Sequence, residues 1–233
     1  MDIPSAVARV RDSIAEAAVQ CGRRPEDIIL VAASKMNSAQ RIQQAIAAGI
    51  AVCGENRVQE MLEKSAQGAY KGAELHFIGH LQKNKVKQVV GLASLIHSAD
   101  SRELLSCIDR CAAARGLIQD VLLEVNIGAE PSKSGFEAGQ IPEILAQAGS
   151  FSALRIRGLM SIPPICSCEA EILPYFQRMQ QLFVDNSAKK YDNVFMDFLS
   201  MGMSGDYRQA IACGANMIRL GSAVFGPRNY DIK

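Results

Sequence analysis

The chain has 233 residues, with 25 Lys and Arg against 24 Asp and Glu, a formal net charge of +1, and 48% hydrophobic residues. That balance leaves no basic field for nucleic acid or anionic lipid, and the apolar content is that of a globular chain rather than a disordered one. The longest apolar stretch, Ala45 to Cys53, is far short of the ~18 residues of a membrane helix.

Asp2, Arg9, Arg11, Asp12 and Glu16 break up any secretory leader, and the 7 cysteines of a chain this large need no disulfide framework. The expectation is a cytoplasmic protein. From Pro4 to Val19, apolar residues at Val7, Val10, Ile14 and Ala18 recur at helical spacing, and Cys21-Gly22 ends the run. Ile28-Ile29-Leu30-Val31-Ala32-Ala33 is unbroken apolar sequence, the pattern of a strand covered on both faces. Ser38 can cap a following helix that buries Ile42, Ala45 and Ile46 and stops at Gly49. The alternation then repeats. Strands are predicted at 51–53, 75–78, 95–97, 121–126, 154–159, 194–199 and 217–220, with helices at 56–66, 82–90, 101–115, 139–148, 169–186 and 205–213. Strands alternating with helices imply parallel pairing through right-handed crossovers. Counted from Ile28 there are eight units, which predicts a single α/β domain over residues 1–233, a (β/α)8 TIM barrel behind one extra N-terminal helix. An open doubly wound sheet, the other α/β arrangement, needs fewer strands.

Barrels of this kind gather their functional groups where strands finish. Small and polar residues stand at every such place: Ser34-Lys35, Gly54-Glu55-Asn56, Gly79-His80, Ser98-Ala99-Asp100, Asn126 with Lys133 in its loop, Met160-Ser161, Ser200-Met201-Gly202-Met203-Ser204 and Gly221-Ser222. The loops after the seventh and eighth strands are a common phosphate site, where glycines admit backbone N–H groups and Ser204 and Ser222 add hydroxyls. Tight turns alone would also account for Gly202 and Gly221. Lys35 follows six apolar residues directly. Desolvation there lowers a lysine's pKa and exposes an amine that forms imines with carbonyl ligands, whereas a snorkelling lysine keeps its ammonium in water. Arg219 lies within the last strand, facing away from Ile218 and Leu220, and needs an acceptor: a ligand ring nitrogen, or a barrel carboxylate such as Glu124.

Other groups carry less. His76 and His80 flank a strand end without a third ligand at metal spacing, so no metal site is expected. Cys107 and Cys111 suit a packed helix face, Cys166 and Cys168 lack a second pair, and Lys83, Lys85 and Lys87 suit a solvated one. No exposed apolar helix stripe argues for an obligate dimer, so a monomer is expected.

A lysine after the first strand, a phosphate cup after the last two and an arginine in the eighth together point to pyridoxal 5′-phosphate. The stretches Val31-Ala32-Ala33-Ser34-Lys35, Gly54-Glu55-Asn56-Arg57-Val58-Gln59-Glu60 and His76-Phe77-Ile78-Gly79-His80-Leu81-Gln82-Lys83-Asn84-Lys85 carry a family resemblance. Ser132-Lys133-Ser134-Gly135, Arg157-Gly158-Leu159-Met160, Leu199 to Ser204, Ile218-Arg219-Leu220-Gly221 and Phe225-Gly226 continue it in order. The chain resembles the YggS-like pyridoxal-phosphate homeostasis proteins (the proline synthetase co-transcribed homologues) over essentially its whole length. The resemblance implies a barrel like the N-terminal domain of alanine racemase, with Lys35 forming the internal aldimine. It further implies that Ser204, Gly221 and Ser222 hold the phosphate, that Met201 of the same loop is also cofactor-binding, that Arg219 faces the pyridine nitrogen and that Asn56 lines the pocket. Lys133 matches a lysine near a second cofactor site. Met36-Asn37 departs from the usual Thr-Lys or Thr-Gln after the lysine, which alters the loop beside Lys35, and Lys83 stands where Ser is common.

The residues themselves bear on catalysis. A pyridoxal ring is a strong electron sink when its nitrogen is protonated, and an arginine opposite cannot accept that proton. Racemisation needs acid/base groups on both faces of the substrate, and Lys35 supplies one. Racemases of this type take the second from a tyrosine on an added β-domain, for which a last strand ending near Leu220 and a chain ending at Lys233 leave no room. Tyr70, Tyr175, Tyr191, Tyr207 and Tyr230 all fall in helices or outer loops. The expectation is therefore a protein without strong catalytic activity that binds the cofactor reversibly and helps control its pool, with apo-enzymes as candidate partners. The alternatives are an amino-acid racemase with a water or His80 as second base, and a cofactor-free Schiff-base aldolase.

Overall fold

A parallel sheet needs both faces covered, and closing it into a ring removes its edges. A computed structural model, describing residues 2–227, shows that arrangement. The strands are β1 (Ile29–Ala33), β2 (Val52–Glu55), β3 (Glu74–Phe77), β4 (Leu95–Ala99), β5 (Gln119–Glu124), β6 (Leu154–Met160), β7 (Val194–Ser200) and β8 (Met217–Leu220). They pair in chain order, all parallel, and β8 returns to β1 to close the barrel. Between them run α1 (Ile3–Gln20), α2 (Ala39–Ala47), α3 (Val58–Ala66), α4 (Val86–Val89), α5 (Arg102–Ala113), α6 (Ile141–Ala146), α7 (Glu169–Ser187), α8 (Tyr207–Ala212) and α9 (Ser222–Phe225). Each predicted strand is present, shifted at its ends by a few residues. Tyr230 and the chain end near Lys233 lie outside the described residues.

The extra N-terminal helix is α1. Asp2 caps it by accepting from Ser5 N–H at 3.0 Å, and Pro4 occupies the first turn, where no N–H is needed. Its stripe of Ile3, Val7, Val10, Ile14 and Ala18 is buried, and the helix packs on α2, α8 and α9. Ser38 caps α2 as the sequence predicts, accepting from Arg41 N–H at 3.4 Å. The predicted helix over 82–90 is shorter. A 3-10 turn, Lys83–Lys85, leads into the single turn of α4, because Gln82 is extended and the three residues Lys83, Asn84 and Lys85 bury nothing. Likewise α3 begins at Val58, since Arg57 is still extended at φ −123°.

Side chains alternate across each strand, which splits the core in two. Inward, Val31, Val52, Leu95, Leu122, Met160 and Met217 pack with Ile78 inside the barrel. Outward, Ala32, Cys53, Phe77, Ile96, Leu123 and Ile218 join the helices in a larger core. No helix among the described residues is long and apolar enough to cross a membrane. The inner cluster is small, so each of its members counts. Leu122, fully buried at 0% exposure, is expected to cost about 2–5 kcal/mol on Leu122→Ala. Equilibrium denaturant unfolding measures this, and a loss below about 1 kcal/mol would mean the barrel interior collapses onto the gap.

Candidate functional site

Strand alternation carries beyond β1, so Lys35 shares the inward side with Val31 and Ala33 at the C-terminal end of the barrel. It is half-buried. On the neighbouring strand, Arg219 pairs in register with Val31, which sets the guanidinium deeper than the lysine. Arg219 is 5% exposed and donates from Nη1 to Ser200 Oγ at 2.6 Å and from Nη2 to the Ser161 carbonyl at 2.8 Å. Those bonds use two of its five N–H donors and leave others for a ligand. Its contacts are neutral oxygens, so the direct ion pair to Glu124 is not what holds it. Burial draws its pKa down to about 10, with Glu124 and Asp206 opposing through space, and the group stays charged at neutral pH.

Behind Arg219 a hydrogen-bonded row crosses the barrel interior. Ser200 Oγ lies 3.1 Å from His97 Nδ1, His97 Nε2 lies 3.0 Å from His76 Nδ1, and His76 Nε2 lies 3.4 Å from Glu74 Oε2. Burial lowers the pKa of both imidazoles, that of His76 to about 4, so both are neutral.

The loops after β7 and β8 meet beside Arg219, whose own N–H bonds the Gly202 carbonyl at 3.0 Å. Gly202 sits at φ 94°, and a Cβ there would come 2.6 Å from the Ala210 Cβ, so only glycine lets this loop fold over α8. Asp206 accepts from Met203 N–H at 2.6 Å and fixes the turn that presents Ser204. Gly221 is the residue before α9, and Ser222 opens that helix, whose first N–H groups have no internal acceptor. A Cβ at Gly221 would meet nothing closer than 3.5 Å, so protein packing does not require glycine there and the space stays open. Met201 is placed differently from the rest. Its side chain is fully buried in the outer core and its N–H bonds the Met217 carbonyl at 3.1 Å, so it supports the loop and offers no side-chain group to a ligand.

Buried side-chain oxygens without a hydrogen-bond partner at this end include Asn56 Oδ1 and Ser161 Oγ. Each such atom costs about 1–3 kcal/mol unless something bonds it. Asn56 is locked by close approach, since a Cβ on Gly79 would fall 2.1 Å from the Asn56 carbonyl oxygen. An open glycine position, anion-favouring N–H groups and hydroxyls, two orphaned oxygens and a buried arginine fit a ligand that joins a phosphate to a polar ring.

Across the mouth stands a set of acid/base groups. His80 Nδ1 is 3.2 Å from Asp100 Oδ2 and 3.3 Å from Ser134 Oγ. Burial first, and the Asp100 charge second, push the Glu124 carboxyl up to about 7, against Arg219 and His80. Lys133 Nζ bonds the Pro163 carbonyl at 3.2 Å and pairs with Glu130 at 2.5 Å. It borders a cavity of about 270 Å³ with His80, Glu124 and Asn126. The tyrosines Tyr70 and Tyr207 are engaged outside the barrel, with Glu55 at 2.9 Å and Ser13 at 2.5 Å. A cavity of about 910 Å³ opens at the opposite end, bordered by Arg11, Glu74, His76 and Asp120, and none of the residues expected to hold a ligand lines it. Sequence reasoning missed the inner row and a charged cluster of Glu55, Glu60 and Lys64. The signals were the inward positions of His76, His97 and Ser200, and the i, i+4 spacing of Glu60 and Lys64.

Residues 16–229 match the family model described as alanine racemase, N-terminal domain, which gives the class of this barrel. Pyridoxal phosphate homeostasis proteins are similar along their full length. That of Aquifex aeolicus is 38% identical, over 96% of this chain and 97% of its own. That of Escherichia coli K12 is 39% identical, over 100% of this chain and 99% of its own. Among solved structures, PipY of Synechococcus elongatus PCC7942 with PLP bound is 33% identical with a TM-score of 0.79, covering 91% of this chain and 100% of that one. This chain belongs to the pyridoxal phosphate homeostasis protein family.

Glu124 makes a pH signature. Folded, it keeps a proton to about 7, whereas an unfolded glutamate releases it near pH ~4.3. Between those values the folded state binds more protons, so this group's contribution to stability falls as pH rises through the window and is level above it. Glu124→Gln is expected to raise the melting temperature at pH 8 and to flatten its decline between pH 5 and 8. Identical pH profiles for the two proteins would remove the assignment.

Proposed function

We propose that this chain binds pyridoxal 5′-phosphate reversibly at the barrel mouth, as a Schiff base on Lys35, and takes part in control of the intracellular pool without strong catalysis of its own. Arg219 is the observation that carries the reading. When bound, the cofactor supplies an electrophilic carbonyl carbon, a pyridine nitrogen and a phosphate. Lys35 would supply the amine that holds the cofactor through its carbonyl carbon, with water as the other product. Arg219 donates to the ring nitrogen and has no site that could pass a proton to it and take it back, so the ring stays a weak electron sink. Ser204, Ser222, the open position at Gly221 and the first N–H groups of α9 hold the phosphate, and the loop of Met201 supports them from below. Asn56 Oδ1 lines the pocket.

The names of the matched relatives and the PLP-bound PipY structure support this reading. In it, residues 1–233 work as one monomeric cytoplasmic domain, Lys133 serves a second cofactor site, and apo-enzymes are the recipients of the cofactor. A second reading, amino-acid racemisation, has one observation in its favour: the His80–Asp100 pair and Glu124 stand on the wall facing β1.

Purified protein mixed with pyridoxal phosphate is expected to show a visible imine absorption band that Lys35→Ala abolishes. A band that survives the substitution would place the bond on another amine. The two readings separate in deuterium oxide. The loaded protein is expected to leave the α-proton of a panel of amino acids in place, and exchange at a useful turnover would favour racemisation.

A further inference from the structure

The backbone on both sides of Lys35 is held by charged side chains from the far face of the sheet. Before it, Ser34 is held at three atoms. Its N–H donates to the Gly54 carbonyl at 2.9 Å, its hydroxyl to Glu55 Oε1 at 2.6 Å, and its carbonyl accepts from Lys64 Nζ at 3.0 Å. After it, Met36 N–H donates to Glu60 Oε2 at 2.8 Å. Lys64 joins the two halves, 2.7 Å from Glu55 Oε1 and 2.9 Å from Glu60 Oε2. One buried ammonium on α3 thus ties together both carboxylates that grip the turn.

Met36 makes the grip necessary. It sits at φ 61°, a left-handed backbone that a residue with a Cβ adopts reluctantly. Its side chain is 56% exposed, so packing does not hold it there. The bond to Glu60 is charge-assisted and exposed, and it holds this peptide together with the Asn37 N–H bond to the Ser34 carbonyl at 3.1 Å and the Asn37 Nδ2 bond to the Lys35 carbonyl at 3.1 Å.

We propose that Glu60 and Lys64 are positioning residues that hold the Ser34–Met36 turn so that Lys35 leaves the chain toward the barrel mouth. This rests on the reading of Lys35 as the cofactor-bearing amine. Neither side chain touches the ligand; they act through the peptides on either side of the lysine.

The test is a titration with pyridoxal phosphate, read by the imine band, with a melting curve for each variant. Glu60→Ala is expected to weaken apparent affinity about tenfold, since small misplacement of a reacting group is costly. Adding Met36→Gly removes the Cβ penalty of the left-handed turn and is expected to restore affinity to within about threefold of native. A role limited to fastening α3 would not respond to glycine at position 36. Native affinity in Glu60→Ala would overturn the proposal, and so would a loss that Met36→Gly leaves unchanged. If Glu60→Ala fails to fold, Glu60→Gln, an uncharged and weaker acceptor of the same volume, takes its place in the same pair. Absence of any band in the native protein would instead overturn the Lys35 reading, which keeps the two failures apart.

Discussion

The molecule is organised around a charge that cannot leave. A guanidinium does not titrate away in a protein, so Arg219, buried inside a closed barrel, obliges its surroundings to supply acceptors. Ser200 and Ser161 do so, and the demand then passes inward. At one end Arg219 can only donate; at the other the Glu74 carboxylate only accepts. With both imidazoles neutral, every hydrogen between them has one consistent place. His76 carries its proton on Nε2, His97 carries its proton on Nε2, and the Ser200 hydroxyl points at His97 Nδ1. The Ser200 lone pairs are thereby turned to Arg219. A row of this kind is polarised in one direction, which strengthens each bond in a dry interior.

That row also explains the division of the inner core. A barrel interior is normally filled by layers of branched apolar side chains. Here Val31, Val52, Leu95, Leu122, Met160 and Met217 provide them, while His76, His97, Ser200 and Arg219 take other inward positions. Closure supports such a row, because β8 pairing with β1 brings Arg219 beside Val31 and leaves no open strand edge next to it.

How much of this the sequence revealed depends on how local each signal is. The eight strands were legible because a doubly covered parallel strand is a short apolar run bounded by polar residues, as at Ile28–Ala33. The placement of Lys35, Ser204, Gly221 and Ser222 at the C-terminal ends of strands was legible because the strand boundaries were. Met201 was not separable from its loop neighbours, since strand alternation decides which side it faces and the strand end was not known to the residue. His76 was weighed with His80 as a metal ligand and set aside for want of a third ligand at metal spacing, while its actual partner His97 lies on another strand and no spacing links the two. The Lys64 cluster was hidden for the same reason. Glu55 and Ser34 meet only when β1 and β2 pair, and the left-handed conformation of Met36 has no sequence signal at all.

These two supports divide the work of the mouth. The Arg219 row is neutral apart from its ends, and Arg219, Ser200, His97 and His76 in it are buried, so it presents a fixed donor with little capacity to exchange protons. The Lys64 cluster is ionic and grips backbone rather than ligand, so it fixes direction without lending a base. Opposite β1, the wall that bears His80, Asp100 and Glu124 carries further acid/base groups, of which Glu124 holds its proton close to neutral pH. A site that must release what it binds is better built this way than an enzyme's. On the proposed reading, a fixed donor and an aimed amine would give affinity and orientation, while a ring nitrogen facing Arg219 would stay unprotonated and withhold the electron demand that turns a bound amine into a reacting one.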